Sequence, residues 1–240
     1  MESNVRVFES ALEMATVLAG EIKDLVITYK NQNKPFHIAV SGGNTPKILY
    51  EVLASEYNVS MPWDSLKIFF VDERCVPPEH PESNYGMCMR SLFSKVNIPG
   101  ENIFRMMGEA EPRTEALRYA SLVKSRLPDI NSIPKFDLIL LGLGEDGHTA
   151  SIFPNQMSIL QSDKICETTV HPQSDQRRIT LTGQVINNAE LVIFLVTGSN
   201  KSRIARSVIH ERKRFYPASH IKPVSGKLIW MVDKAVARGM

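Results

Sequence analysis

The sequence predicts a single-domain α/β fold in which a mostly parallel, Rossmann-like sheet carries helices on both faces. Segments with the apolar spacing of strands alternate with segments of helical spacing along the 240 residues. Two strand segments, FDLILL at 136–141 and LVIFLV at 191–196, are apolar apart from Asp137, as is typical of strands covered on both faces. Strands of this kind, alternating with helices, favour a parallel sheet wrapped by helices.

The predicted elements follow one another without a long interruption. A short alternating strand at residues 1–8 is expected at an edge of the sheet, and an amphipathic helix at 10–29 follows it. Further strands are expected at 36–41, 66–71, 136–141, 191–196 and 227–232, and further helices at 45–56, 84–93, 113–127 and 200–211. Because no internal repeat or low-complexity linker divides the chain, one domain over residues 1–240 is the simplest organisation.

Composition excludes several classes of protein. The chain is 43% hydrophobic and 22% charged, which argues against disorder, collagen-like repeats and a disulfide scaffold. Its net charge of +2 gives no reason to expect nucleic-acid binding. No apolar run approaches the ~18 residues of a membrane span, and the N-terminal segment lacks the apolar core of a signal peptide. Cys75, Cys88 and Cys166 form no CxxC pair and are expected to be reduced thiols, so a cytoplasmic location is predicted.

Four predicted strands end in unusual sequence. The segments are VSGGNTP (40–46), VDERCVPP (71–78), LGLGEDGHTASIFP (141–154) and VTGSNK (196–201). In open parallel sheets, ligands bind beyond the carboxyl ends of the strands. We therefore expect these four loops to converge on one site.

The loop Ser41–Pro46 has the character of a phosphate-binding turn. Gly42 and Gly43 let the backbone approach a ligand closely, and Asn44 follows them. Thr45 is expected to be the N-cap of the next helix, with Pro46 at its first position. The free N–H groups at such a helix start suit an anion, although a plain glycine turn is the alternative. The loop is not a Walker A motif, because GxxxxGK[ST] is absent.

The loop Thr197–Lys201 repeats this design on a second strand. Lys201 falls in the first helical turn, where a cation is unfavourable unless an anion is bound nearby. Arg203, Arg206, Arg212, Lys213 and Arg214 are instead expected to lie on a solvated face. In the segment RRITLT, strand alternation places Arg178, Thr180 and Thr182 on one face, where a guanidinium can grip a phosphate.

The third loop contains a literal GxGxxG at Gly142, Gly144 and Gly147. We reject a dinucleotide site, because Pro154 would cut short the required helix and no acidic residue ends a second strand at the ribose-binding spacing. The loop does hold Asp146 and His148. Histidine is the natural general base at neutral pH, and a neighbouring carboxylate can fix its tautomer. Metal ligation is possible, but no HxH or HExxH spacing supports it. The other histidines, His37, His80, His171, His210 and His220, are expected to be solvated.

Taken in order, SGGNTP, VDERCVPPEHPESNYGM, LGLGEDGHTASIFP, RRITLT and TGSNK resemble the 6-phosphogluconolactonase family over about residues 36–201. A sister family, the glucosamine-6-phosphate deaminases, shares the fold, the SGGxTP and DER blocks and a similar DGH loop. The deaminase loop resembles DGHxAFNEP, with a glutamate five residues after the histidine that takes part in proton transfer. Here that residue is Phe153, which cannot exchange protons, so the resemblance favours the lactonase.

The resemblance implies hydrolysis of 6-phospho-D-glucono-1,5-lactone in the oxidative pentose phosphate pathway, with no cofactor and no metal. It implies His148 as the general base and Asp146 as the residue that orients it. The substrate and its phosphate are expected to contact Ser41, Gly42, Gly43, Asn44, Thr45, Asp72, Arg74, Arg178 and Lys201. Of these, Asp72 has no defined role.

Two alternatives remain at this point: an aminosugar-phosphate deaminase, and a non-catalytic sugar-phosphate sensor. The expected partner is a small sugar-phosphate lactone, with no nucleic acid and no membrane. The oligomeric state, monomer or homodimer, stays open.

Overall fold

The centre of the molecule is a seven-stranded sheet in which every paired neighbour is parallel, as a computed structural model shows for residues 4–130 and 132–240. Along the chain its strands are β1 (Asn4–Phe8), β2 (Phe36–Val40), β3 (Leu66–Phe70), β5 (Ile103–Phe104), β8 (Leu138–Gly142), β11 (Leu191–Val196) and β12 (Lys227–Asp233). Across the sheet their order is β1-β12-β11-β8-β2-β3-β5. The sheet confirms the predicted α/β class.

Helices cover both faces of this sheet. The helices are α1 (Ala11–Asn31), α2 (Asn44–Glu56), α3 (Asn84–Ser91), α4 (Pro112–Arg126), α5 (Gly183–Asn187), α6 (Ser202–Ile209) and α7 (Lys234–Ala237). One buried core joins α1, α2 and α3 to one face through residues such as Leu18 and Leu49. A second core joins the remaining helices to the other face through residues such as Tyr119 and Val208. The doubly apolar strands are therefore buried on both sides, as their sequences predict.

A three-stranded antiparallel sheet stands beside the main one, and the sequence does not predict it. It consists of β4 (Asp72–Arg74), β10 (Arg177–Leu181) and β9 (Cys166–Val170), in the order β4-β10-β9. Pairing of β4 with β10 sets Arg178 opposite Arg74 and Thr180 opposite Asp72. This second sheet thus brings two arginines from distant parts of the chain side by side.

Most predicted elements occur, with ends displaced by a few residues. The strand LVIFLV at 191–196 agrees residue for residue with β11, and β1 lies at an edge, although residues 1–3 of that prediction fall outside the described part. The predicted helix at 200–211 is instead a 3-10 turn, Ser199–Lys201, followed by α6. Thr182 caps α5 and is not part of the RRITLT strand, because β10 ends at Leu181.

The remaining elements are short. They are the hairpin of β6 (Asp129–Ile130) with β7 (Ile133–Pro134), and the 3-10 segments Phe93–Lys95, Gly100–Asn102, Pro154–Gln161 and Pro217–His220. Over residues 4–130 and 132–240, no helix combines the length and the apolarity needed to cross a membrane.

The side of the sheet to which successive strands are added changes between β2 and β8, while all the strands stay parallel. From β2 the chain builds outward through β3 and β5, then returns to add β8 and β11 on the other side of β2. In doubly wound sheets the loops on the two sides of such a point part and leave a crevice at the carboxyl ends of the strands. The loops after β2, β8 and β11, which carry the unusual sequences, meet at this crevice.

Candidate active site

A cavity of about 480 Å³ opens at this crevice. Its lining comes from all the loops singled out in the sequence and includes Ser41, Gly42, Gly43, Asn44, Thr45, Asp72, Arg74, His148, Arg178 and Lys201. Asp146 is not part of the lining, but it contacts His148 directly. The structure therefore gathers the predicted site residues around one space.

The glycine loop after β2 places the N-cap and the first helical residue of α2 two residues earlier than the sequence predicts. Gly43 is the N-cap, with φ at +109°, and α2 starts at Asn44, so the prediction of Thr45 as N-cap and Pro46 as first helical residue is wrong. Glycine adopts this left-handed backbone without strain and therefore takes the capping position itself. No side chain caps the helix, which leaves the first N–H groups of α2 directed at the cavity end of the loop.

Gly42 makes a close approach to a neighbouring side chain. A Cβ atom at this position would lie 1.8 Å from Asn84 Oδ1. Asn84 begins α3 and also lines the cavity, and its Nδ2 donates to the Asp72 carbonyl over 2.8 Å. Absence of a side chain at Gly42 therefore lets the loop after β2 pack against the start of α3.

The hydroxyls of Ser41 and Thr45 are used within the protein. Ser41 Oγ donates to the carbonyl of Leu140 over 2.7 Å, which ties the end of β2 to β8. Thr45 Oγ1 lies 2.7 Å from Thr197 Oγ1 and links the two glycine-containing loops. The Ser41 carbonyl in turn accepts a hydrogen bond from Tyr50 Oη over 2.7 Å, and together these contacts hold the cavity walls in place.

Lys201 reaches the cavity from the loop after β11. Gly198, with φ at +93°, caps the 3-10 turn that carries Lys201, and its N–H donates to Asp233 Oδ2 over 3.0 Å. Burial lowers the pKa of the Lys201 amine, although the charges of Glu145 and Asp146 act in the opposite direction. A partly desolvated ammonium of this kind is a favourable place for a phosphate.

Asp146 and His148 form a hydrogen-bonded pair at the wall of the cavity. Their Oδ1 and Nδ1 atoms are 2.5 Å apart, and the backbone N–H of His148 donates to the same oxygen over 3.1 Å. Burial raises the pKa of Asp146, but the hydrogen bond and charge of His148 outweigh it, so the pKa is lowered overall. Because Asp146 engages Nδ1, the Nε2 atom of His148 is the one left to act on a ligand.

Gly144 gives the pair its space. A Cβ atom there would lie 2.1 Å from His148 Nδ1 and 2.6 Å from Asp146 Oδ1. Within the described residues, the GxGxxG sequence continues into a tight Thr149–Ile152 bridge and the 3-10 segment from Pro154, with no α-helix. Gly144 therefore serves the packing of the Asp146–His148 pair, and the segment does not form a dinucleotide fold.

Arg178 is a buried cation with little internal pairing. The residue is only 9% exposed. Its Nε has no hydrogen-bond partner, and its Nη1 lies 3.5 Å from Ser151 Oγ. Burial lowers its pKa, while the charge of Asp72 opposes that effect. Such a group is unfavourable unless an anion compensates it.

Asp72 acquires a clear structural environment. Ser151 Oγ donates to Asp72 Oδ2 over 2.5 Å, and Asn84 Nδ2 lies 3.5 Å from Oδ1. Asp72 thereby places Ser151 against Arg178 on the cavity wall. The sequence singled out Asp72 and Arg178 but missed Ser151 and Asn84. The only signal for these two residues was their position within the HTAS and ESNYGM segments.

Arg74 stands opposite Arg178 on β4. Its Nη1 donates to the Glu82 carbonyl over 2.5 Å, and its Nε is buried without a partner. The preceding Glu73 accepts hydrogen bonds from the N–H groups of Asn84 and Tyr85 at the start of α3. Burial raises the pKa of Glu73, although these N–H donors act against the rise. Glu73 therefore positions α3 beside the site, a role that the sequence did not indicate.

Phe153 lies among three groups of the site. Its fully buried ring is 4.9 Å from the His148 ring, 5.1 Å from the His171 ring and 5.7 Å from the Arg178 guanidinium carbon. His171, expected to be merely solvated, is thus a neighbour of the site, and burial and the charge of Arg178 lower its pKa. No pattern in the sequence pointed to this contact, because it joins segments that are far apart in the chain.

Metal-ligating side chains are not clustered in the described part of the chain. Among residues 4–130 and 132–240, no group of three or more His, Cys, Asp or Glu residues is arranged to hold a metal ion. Cys75, Cys88 and Cys166 are free thiols, as predicted. Burial, followed by the charge of Glu73, raises the pKa of Cys75 to about 11, so this thiol carries little thiolate at neutral pH.

Comparison with known proteins places this arrangement in context. The family described as glucosamine-6-phosphate isomerases/6-phosphogluconolactonase matches residues 9–230. A protein of Haemophilus influenzae named 6-phosphogluconolactonase is 40% identical over 215 residues, covering 88% of this chain and 90% of that protein. A crystal structure titled devB protein has a TM-score of 0.93 at 39% identity and covers 99% of both chains. The structure of 6-phosphogluconolactonase from Trypanosoma cruzi has a TM-score of 0.88 at 28% identity, covering 100% of this chain and 98% of that one.

Proposed function

Because the chain belongs to the glucosamine-6-phosphate isomerase/6-phosphogluconolactonase family, we propose that it hydrolyses 6-phospho-D-glucono-1,5-lactone to 6-phospho-D-gluconate, in the oxidative pentose phosphate pathway. The Asp146–His148 pair at the cavity wall carries the proposal. This pair can transfer protons, and the same cavity exposes Arg178 and Lys201 to an anion. A lactone that bears a phosphate needs both features.

In the proposed complex, the phosphate anchors the substrate. The buried Arg178 guanidinium has an unpaired Nε, and the Lys201 ammonium lies across the same cavity. The uncapped N–H groups at the start of α2, in the loop Gly42–Thr45, add donors for phosphate oxygens. Asp72 keeps Arg178 in place through Ser151. Anchoring converts the attack on the lactone into a positioned, effectively unimolecular step.

Proton transfer is assigned to His148. Its Nε2 removes a proton from a water molecule as the water oxygen bonds to C1 of the lactone. The negative charge that develops on the carbonyl oxygen is stabilised by loop N–H groups or by Arg74. The C1–O5 bond then breaks, and His148 returns the proton to O5. Asp146 holds the imidazole in one tautomer and stabilises its positive charge. Acid–base catalysis of this kind contributes about 10²–10⁴-fold, and the steps use no cofactor or metal.

Phe153 is the observation that separates the lactonase from the deaminase. The sister chemistry uses a carboxylate at this position, whereas here the position holds a fully buried phenyl ring against the His148 ring. A phenyl ring neither donates nor accepts protons, and burying a carboxylate in its place without a partner would be costly. Lactone hydrolysis requires no second acid at this point.

The remaining proposals concern the context of the enzyme. A single domain is supported by the cavity, whose lining extends from Ser41 to Lys201. A cytoplasmic location is supported by the three free thiols, which are typical of a reducing compartment. The absence of nucleic-acid partners remains a prediction from the near-neutral charge of the chain.

A rate comparison tests the function. Acid release from freshly made 6-phosphogluconolactone is followed with and without the enzyme, because the lactone also hydrolyses unaided. Ammonia release from glucosamine 6-phosphate is measured in parallel. Faster lactone opening without ammonia release is expected. Ammonia release would favour the deaminase, and binding of 6-phosphogluconate without any acceleration would favour a sensor; either result overturns the proposal.

A further inference from the structure

Glu145 is a cavity-lining acid that faces the basic residues of the site. It precedes Asp146 in the loop after β8, and its Oε1 accepts a hydrogen bond from Asn200 Nδ2 over 2.5 Å. The same oxygen lies 4.0 Å from Lys201 Nζ. Glu145, Asn200 and Lys201 all line the cavity. A carboxylate therefore stands where the proposed phosphate would take its contacts from the loop after β11.

The two acids that line the described cavity differ in their freedom. Asp72 is buried and accepts hydrogen bonds from Ser151 and Asn84, so it cannot leave its position cheaply. The Glu145 side chain is 66% exposed, and it contacts Asn200 and Lys201. An exposed carboxylate regains its hydration when it turns into solvent, so it can yield its place to another anion.

The lysine that Glu145 approaches is less exposed than Glu145 itself. The Lys201 side chain is 21% exposed. Burial acts against its charged form, and the Glu145 carboxylate is the first of the groups that favour that form. Glu145 thus favours the charged form of Lys201.

We propose that Glu145 occupies the phosphate subsite of the ligand-free enzyme and competes with the phosphate of substrate and product for Lys201 and Asn200. This inference rests on the proposed function, because it takes the phosphate position from it. Arriving phosphate displaces the carboxylate, and the carboxylate returns as the product leaves. Glu145 accordingly weakens phosphate binding and favours release of 6-phosphogluconate, whose new carboxylate adds to its negative charge. It tunes the affinity of the phosphate subsite and takes no part in proton transfer.

Binding of phosphate to Glu145→Gln tests the competition. Isothermal titration measures the Kd of inorganic phosphate and of 6-phosphogluconate for the wild type and the variant. Because an exposed ion pair is weak, we expect both Kd values to fall by about 2- to 5-fold in the variant. The matched control is Glu51→Gln, which removes an equally charged group that pairs with Lys47 at 3.6 Å and not with Lys201. The control is expected to change either Kd by less than about twofold.

Lys201→Ala distinguishes failure of this inference from failure of the proposed site. If Lys201→Ala weakens phosphate binding but Glu145→Gln binds no more tightly than the wild type, the competition is overturned and the phosphate subsite stands. If Lys201→Ala binds both probes as the wild type does, or if neither probe binds the wild type, the subsite is misplaced and both proposals fail. An equal gain in phosphate affinity in the Glu51→Gln control would show that the change in net charge alone causes the effect, and it would also overturn the role of Glu145.

Discussion

The Nδ1 atom of His148 lies 2.5 Å from Oδ1 of Asp146, and the backbone N–H of His148 donates to the same oxygen. One carboxylate oxygen therefore holds both the ring and the main chain of the histidine. The glycine between them, Gly147, has φ at +80°, which folds the short segment back on itself. This local geometry leaves Nε2 as the working nitrogen of the proposed general base.

Removal of the imidazole is expected to abolish most catalysis without removing phosphate binding. His148→Ala should lower kcat for 6-phosphogluconolactone by about 10²–10⁴-fold, because the general base is lost. The Kd of 6-phosphogluconate should stay nearly unchanged, since Arg178 and Lys201 remain. His210→Ala, at an exposed position on the surface, serves as the control. Undiminished turnover of His148→Ala would exclude it as the base.

Two glycines of the same loop provide a matched test of positioning. Gly144→Ala places a methyl group 2.1 Å from His148 Nδ1, whereas a methyl group at Gly142 meets nothing within 4 Å. A displacement of about 1 Å can cost about 10²-fold in rate. We expect a loss of that order in kcat for Gly144→Ala. Gly142 lines the cavity but its methyl group would not touch His148, so Gly142→Ala should change KM only; the Tm of each variant is measured alongside. Equal kcat values for the two variants would contradict the positioning role of Gly144.

Adjacent arginines allow the phosphate site to be tested within one strand. Arg178 is buried at the cavity, whereas Arg177 is exposed. Loss of a charge-assisted hydrogen bond costs about 1.5–3 kcal/mol, or about 10- to 100-fold in affinity. Arg178→Lys keeps the charge but loses the guanidinium fork. It is expected to raise KM for the phosphorylated lactone by about 10-fold or more, toward the ~100-fold limit. Arg177→Lys should leave KM unchanged, and a comparable rise in both variants would argue against a specific contact at Arg178.

The lowered pKa of Lys201 predicts the pH dependence of phosphate binding. A lysine is charged below its pKa. The affinity for phosphate is therefore highest at neutral pH and falls as the pH rises through the pKa of Lys201 in the phosphate-free enzyme. Because burial lowers the pKa of Lys201 below the usual 10.5, phosphate affinity begins to fall at a lower pH than it would with an exposed lysine. Titration of phosphate binding against pH measures the effect. Lys201→Arg should keep its affinity further into the alkaline range, since arginine stays charged; an identical profile would exclude Lys201 as the titrating group.

Local sequence was sufficient for the main elements. The strand β11 was predicted to the residue, because LVIFLV is apolar throughout and bounded by polar residues. The N-cap of α2 was misplaced by two residues, since Gly43 and Thr45 are both acceptable caps and only the backbone dihedral distinguishes them. The site loops were recognisable because each follows a strand, and parallel strands deliver their carboxyl ends to one edge of the sheet.

Contacts between distant segments were beyond reach of the sequence patterns. The pairing of Arg74 with Arg178 crosses more than a hundred residues and depends on β4, a strand of only three residues. The placement of Phe153 among His148, His171 and Arg178 likewise joins separate loops. Short strands and side-chain contacts of this kind leave no periodicity to detect.

The sequence by itself determined the α/β class, the buried strands of the parallel sheet and the loops that carry the chemistry. These features depend on hydrophobic spacing and on glycine and proline within a few neighbouring residues, which the chain displays directly. Only the tertiary structure decided that Asp72 holds Ser151 against Arg178 and that Glu145 stands beside Lys201. Those relationships arise when the strand order brings separate loops to one crevice, and their distances depend on packing that no local pattern specifies.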